Sequence, residues 1–248
     1  ISSFEKAIEL NPHLLAAHCN LGISFKNQGK LLKAIEAFEK ALTIDPNSSE
    51  IHFNLGVTYQ AQDQLKAAVS SYQLALKFNP NFIEAYCNLG VTLHELGHLK
   101  QAIESFEKAL ELDYNSPDAH FNLANVQLLT GQYEAGLVNY QWRQKIQKCK
   151  ETNTQPKIQR WLGEPLNEQK LLVVSEQGLG DTIQYMRYIP YLQQQGVDIL
   201  FSAQTKLHDL IKASGIDSNP LSPDQVNTVL DCQWIPLLSI PKCLGVTP

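Results

Sequence analysis

The sequence predicts a chain in two parts, an α-helical solenoid of stacked repeats followed by a partial α/β unit built on a parallel sheet. Three observations predict this. A short segment returns four times, as Ala17-His18-Cys19-Asn20-Leu21-Gly22, Ile51-His52-Phe53-Asn54-Leu55-Gly56, Ala85-Tyr86-Cys87-Asn88-Leu89-Gly90 and Ala119-His120-Phe121-Asn122-Leu123-Ala124. Its asparagines stand 34 residues apart each time, a period that accommodates one helix–turn–helix unit. Beyond residue 169 the period is gone, and Leu171-Leu172-Val173-Val174 followed by Gly178-Leu179-Gly180-Asp181 reads as a buried strand, a turn and a helix start.

Taken in order, Phe4, Ala7 and Pro12 mark the closing helix of a repeat whose first helix is missing. Complete repeats follow at 15–48, 49–82, 83–116 and 117–144, each with a turn near Gly29, Asp63, Gly97 or Gly131. In the second helices, Ala34, Ala68, Ala102 and Gly136 are followed by the aromatics Phe38, Tyr72, Phe106 and Tyr140, then by Ala41, Ala75 and Ala109. These are i, i+4 and i+7 positions, which share one helix face. Small residues let paired helices approach while the ring fills the space between repeats. Pro12, Pro46 and Pro80 stop the second helices, and Tyr114 stands at that position in the fourth case. The last repeat departs at Gln127, Gly136 and Arg143, as terminal repeats do, and Tyr140-Gln141-Trp142-Arg143 is expected to close that end of the stack. Over residues 1–144 this pattern resembles the tetratricopeptide repeat family.

A chain of 248 residues with 44% apolar side chains has room for one long or two ordinary domains. The formal charge of −5 argues against nucleic acid, which favours a basic face. The acidity belongs to residues 1–144, which hold ten Lys/Arg against fifteen Asp/Glu. Cys19, Cys87, Cys149, Cys232 and Cys243 are odd in number and never paired as C-x-x-C, so neither a disulfide framework nor a metal site is expected, and a cytoplasmic location is. No apolar run approaches the roughly 18 residues that span a bilayer. Met186 is the only methionine and the chain opens on Ile1 within a helical pattern, which predicts that the natural N-terminus lies upstream and leaves a lost signal peptide open.

Asparagine forms helix poorly and gains nothing in a core, so its fourfold return points to a surface kept for binding. Asn20, Asn54, Asn88 and Asn122 each precede a core leucine by one residue, about 100° around the helix from the buried stripe. That predicts an inward-facing ladder. A carboxamide can bond both C=O and N–H of a peptide unit, and helices roughly 10 Å apart match about every third residue of an extended chain. The expected partner is therefore an extended peptide or protein segment gripped by its backbone; the alternative is a set of amides bridging helices within the stack. The ladder also resembles the repeat arm of the O-linked N-acetylglucosamine transferases, and that resemblance implies that these four residues hold an acceptor protein's main chain. His18, His52 and His120 recur where such repeats place a bulky packing residue, as Tyr86 does, and are read as packing.

Residues 145–169 read as a connector in which Lys145, Lys148, Lys150, Lys157 and Arg160 favour a helix C-terminus. Residues 170–248 form the second domain. A helix is expected from the glycine turn to about Gln195, a strand over 197–202, a helix over 205–214, and a third strand from 226–230 or 232–237. This is a βαβ arrangement, whose ligands bind at the carboxyl ends of strands. Gln177, Gly178, Leu179 and Gly180 occupy that place as a candidate anion or sugar loop, although neither a G-x-G-x-x-G fingerprint nor a P-loop is present. Asp181-Thr182-Ile183-Gln184 also has the spacing of a capping box.

Trp161 and Gly163, residues 171–184, Arg187-Tyr188-Ile189-Pro190 and 235–241 resemble a bacterial family in which such repeats precede a glycosyltransferase-like domain of the GT-B fold, built from Rossmann-like halves. The turn is also similar to that of heptosyltransferases, and the resemblance implies that Asp181 is the base that deprotonates an acceptor hydroxyl. The half that grips the nucleotide is lacking after Pro248, so no cofactor is expected in this chain, with a nucleotide sugar as donor only in a longer protein. The expected function is a peptide-binding arm attached to the acceptor-side half of a glycosyltransferase. The alternatives are a non-catalytic scaffold for protein–protein interaction or, failing that, a small-molecule binder using the glycine turn. Whether Glu176 and Arg187 meet a ligand or each other stays open, and the apolar face from Ile1 to Leu10 offers a surface for a homodimer.

Overall fold

Helix α1 (Ser2–Leu10) is followed by three helix pairs: α2 (Leu15–Asn27) with α3 (Leu31–Ile44), α4 (Ser49–Ala61) with α5 (Leu65–Phe78), and α6 (Ile83–Glu95) with α7 (Leu99–Leu112). After them come α8 (Pro117–Leu129) and α9 (Tyr133–Tyr140). The computed structural model describes residues 1–146, 156–176 and 178–245, which fall into two units, Ile1–Thr130 and Gly131–Pro248. Lys148, Cys149, Lys150 and Gln177 lie outside the described residues.

Each pair turns on one residue in the left-handed region: Gly29 at φ 71°, Asp63 at 61°, Gly97 at 78° and, between α8 and α9, Gly131 at 79°. Three of these turns close with a backbone bond typical of a helix C-terminus, from Lys30 N–H to Phe25 O, Gln64 N–H to Tyr59 O and His98 N–H to Leu93 O, at 2.9, 2.9 and 2.8 Å. Aspartate is among the few side chains that adopt this conformation, which is how Asp63 serves without a glycine. Between repeats the stop is built by the residue ahead of the proline. Asn11, Asp45, Asn79 and Asp113 each accept the backbone N–H two residues on, at 3.1, 3.2, 3.1 and 3.0 Å, forming Asx turns. The fourth stop therefore works with Tyr114 in place of proline.

The pairs pack through glycine against a ring. A Cβ on Gly22, Gly56 or Gly90 would lie 2.6, 2.6 or 2.7 Å from Phe38, Tyr72 or Phe106. Ala34, Ala68 and Ala102, with Ala41, Ala75 and Ala109, are wholly buried on the same second helices. Successive first helices touch directly, α2 with α4, α4 with α6 and α6 with α8, while α3, α5 and α7 each pack between two first helices. The first helices thus form one continuous row along the stack.

In the second unit, β1 (Lys170–Val174), β2 (Ile199–Ser202) and β3 (Cys232–Pro236) form a parallel sheet in the order β2-β1-β3. The strand period of two sends Leu171 and Val173 to a core with Trp161, Ile189, Phe201 and Ile235, and Leu172 and Val174 to another with Val226 and Trp234. Both faces are covered, as parallel sheets require. Residues 156–169 join this packing: Trp161 N–H bonds Trp234 O at 2.8 Å and Trp234 N–H bonds Gln159 O at 3.0 Å.

Several expectations for this unit are corrected. The single helix expected up to Gln195 is two, α10 (Leu179–Tyr185) and α11 (Tyr188–Gln194), because Pro190 has no N–H to give Met186 and its ring would crowd that carbonyl. Asp181 is not a helix cap. The helix starts earlier, with Gly178 at the cap position and Asp181 in the first turn, so no capping box forms. Pro223–Thr228 is a 3₁₀ turn, so the third strand comes from Cys232–Pro236 alone. A 3₁₀ turn at Thr205–Leu207 leads into α12 (His208–Ala213), and the last helix is α13 (Ile240–Leu244). No helix among the described residues is long and apolar enough to cross a membrane.

Candidate functional site

The four asparagines lie on first helices, on α2, α4, α6 and α8. Each is followed by a buried leucine: Leu21, Leu55, Leu89 or Leu123. Asn20 is exposed and Asn54, Asn88 and Asn122 are half-buried. Their surroundings differ. Asn54 Oδ1 accepts from Lys26 Nζ of the preceding repeat at 3.0 Å, and its Nδ2 donates to Glu50 O at 2.9 Å. Asn88 lies beside Tyr72, whose hydroxyl donates to Gln60 Oε1 at 2.9 Å. Asn20 and Asn122 make no hydrogen bond through their side chains among the described residues. Part of the ladder thus bridges helices, as the alternative reading held, and part presents its amides unengaged.

The helix turns beneath two of these amides are pinned. Thr58 and Thr92 are fully buried and donate to the backbone carbonyls of Asn54 and Asn88, each at 2.7 Å. Burial holds the Lys26 ammonium below its ordinary pKa. The Cys87 thiol, next to Asn88, is pushed up to about 11, first by burial and then by the carboxylates of Glu84, Asp118 and Asp113. The histidines are packing residues with a second task. Their Nε2–H groups donate to Pro12 O, Pro46 O and Tyr114 O at 2.9, 2.9 and 2.8 Å, so each ties a first helix to the loop that ended the previous repeat. Clefts of about 470 and 450 Å³ recur at matching repeat positions, around Leu21 and around Leu89, and include none of the four asparagines.

At the carboxyl end of β1, Gly178 has φ 72° and a Cβ there would lie 2.8 Å from Asp181 Oδ2. The positive φ is what favours glycine here, since the Asp181 carboxylate could swing aside. Gly178, Leu179, Gly180 and Asp181 are exposed, and Thr182 Oγ1 lies 3.0 Å from Gln204 Oε1, joining the ends of β1 and β2. Glu176 does not meet Arg187. It pairs with Arg143, both side chains almost completely buried, within a network of Gln141, Arg160 and Ser239. Burial raises the phenol of Tyr140 to about 12, the nearby Asp181 and Glu176 adding to the shift and Arg143 opposing it. The signal for this cluster was present in the period: Arg143 stands at the register of Ala41, Ala75 and Ala109. Among the described residues no group of three or more His, Cys, Asp or Glu is arranged to hold a metal ion.

Comparison with known proteins identifies the repeats. The family model described as TPR repeat matches residues 24–63, 61–97 and 92–131. Curated proteins give no match. Among solved structures the chain is similar to MamA, with 22% identity and a TM-score of 0.55 over 60% of this chain and 86% of that one. It is similar also to YrrB, described as a TPR protein with an unusual peptide-binding site, with 26% identity and a TM-score of 0.52 over 58% of this chain and 75% of that one.

Proposed function

We propose that the tetratricopeptide repeats this chain carries are a protein-interaction scaffold whose groove takes an extended peptide by its main chain, through Asn20, Asn54, Asn88 and Asn122. The observation that carries this reading is the return of one exposed or half-buried amide per first helix at a constant interval, along a row of helices that touch in succession. The likeness to YrrB, itself described by its peptide-binding site, supports it. The rungs are unequal. A guest must displace Lys26 to reach Asn54 but nothing to reach Asn20 or Asn122. Free thiols at Cys19, Cys87, Cys232 and Cys243 fit a cytoplasmic setting.

The test is fluorescence anisotropy with a labelled, carboxymethylated unfolded protein. Replacing all four asparagines by alanine is expected to weaken binding by at least about tenfold, since each net hydrogen bond contributes about 0.5–1.5 kcal/mol. Far-UV circular dichroism should not change. Asn20→Ala alone should cost more affinity than Asn54→Ala, and unchanged affinity in the fourfold variant would refute the reading.

A second reading keeps residues 170–245 as the Rossmann-like, acceptor-side half of a glycosyltransferase, with Asp181 as base and Gln177 to Gly180 as the sugar loop. The parallel order β2-β1-β3 with a glycine turn past β1 favours it. A nucleotide sugar would then be bound by further residues of a longer protein. Calorimetric titration of this chain with nucleotide sugars should show nothing tighter than millimolar; micromolar binding would place a donor site within it.

A further inference from the structure

In the order β2-β1-β3 the chain leaves β1 toward one neighbour and comes back on its other side. The carboxyl ends of β1 and β3 then flank the point where such sheets open a crevice for ligand. Here that point is filled from within the same unit. Glu176, two residues past β1, accepts the N–H of Leu238, two residues past β3, at 3.2 Å. Its two carboxylate oxygens take Arg143 Nη2 at 2.8 and 2.6 Å. The same nitrogen lies 3.2 Å from Ser239 Oγ, Nη1 donates to Tyr140 O at 2.9 Å, and the guanidinium carbon sits 4.5 Å from the centroid of the Tyr140 ring. A carboxylate, a hydroxyl, a carbonyl and an aromatic face are the means by which proteins recognise a guanidinium cation.

Two features set Arg143 apart from an ordinary core ion pair. Its Nε is buried without a partner, so the fit is made around the tip of the side chain and not its stem. A second guanidinium, Arg160, reaches the same Ser239 Oγ at 3.4 Å, so two like charges crowd one hydroxyl while only Arg143 is paired with the carboxylate.

We propose that Glu176, Ser239 and Tyr140 form a guanidinium site at the carboxyl end of the sheet, occupied by the chain's own Arg143 as a tethered ligand. Any other ligand of this crevice must displace Arg143, so the contact is self-inhibitory, and removing the side chain opens the site to an external guanidinium cation.

The experiment uses the full chain, followed by tryptophan emission during urea unfolding, because Trp142, Trp161 and Trp234 all belong to the second unit. Arg143→Ala should lower the urea midpoint, and millimolar methylguanidinium should restore at least half of the loss, where sodium chloride at equal ionic strength does not. The parent chain should not respond. Adding Glu176→Gln to Arg143→Ala should remove the recovery. If Arg143→Ala does not fold alone, the yield of refolding with and without methylguanidinium carries the same answer. Absence of recovery, equal shifts in parent and variant, or recovery that survives Glu176→Gln would each overturn the proposal.

Discussion

At Gly56 the space admits a hydrogen and nothing larger, since a Cβ would meet the Tyr72 ring at 2.6 Å. Tyr72 is fully buried and its hydroxyl is tied to Gln60, so the ring cannot withdraw. Alanine favours the helix by about 1 kcal/mol over glycine, while overpacking a core costs about 1–3 kcal/mol. Gly56→Ala is therefore expected to destabilise by up to about 2 kcal/mol, with overpacking as the larger effect. The measurement is a chemical denaturation series, with Gly90→Ala beside it. Phe106 lacks the hydroxyl tie, so Gly90→Ala should cost less; equal costs would show that the tie does not hold the ring, and stabilisation at both sites would show that the helices separate freely. The leucine–glycine pairs that foretell this contact are legible in the sequence because they repeat. The Asx turns repeat as faithfully, at Asn11, Asp45, Asn79 and Asp113, but the proline that follows three of them is the stronger helix breaker and masks their part in the stop.

Among the elements, legibility follows the number of times a device is used. A boundary in the repeats is checked by its copies one period away, and the pairs from α2 to α7 fall within a residue or two of where their turns and prolines place them. In the second unit each motif occurs once and nothing corrects a wrong inference. The strands are legible because a continuous apolar run such as Leu171 to Val174 needs two covered faces. The break between α10 and α11 is signalled only by Pro190, and the Asp-x-x-Gln spacing points to a helix start later than the one at Gly178, whose positive φ the sequence does not display. Pairings such as Arg143 with Glu176 join residues 33 apart in sequence through tertiary packing, which no local pattern encodes. Only the intrusion of an arginine into an alanine register hinted at it.

For the molecule as a whole, the two units differ in how their contacts are distributed. The repeats bond mainly to their neighbours in sequence, as quasi-one-dimensional stacks do, whereas the sheet unit pairs β1 with β3 across more than 60 residues of chain. All three tryptophans report on the latter. Urea unfolding followed by tryptophan emission should therefore not coincide with unfolding followed by far-UV circular dichroism, which is dominated by the repeats, and the second transition should be the broader. Superimposable curves would mean that the chain unfolds as one cooperative body. The glycine–ring contact has a further consequence, because it closes inside a single 34-residue unit at Gly22, Gly56 and Gly90. Recombination that gains or drops one such unit keeps every glycine with its ring. If the proposed groove takes a peptide by its main chain, what changes is reach, in whole steps of about three guest residues, so descendants of this array can be tuned for longer or shorter tracts while each glycine keeps its ring.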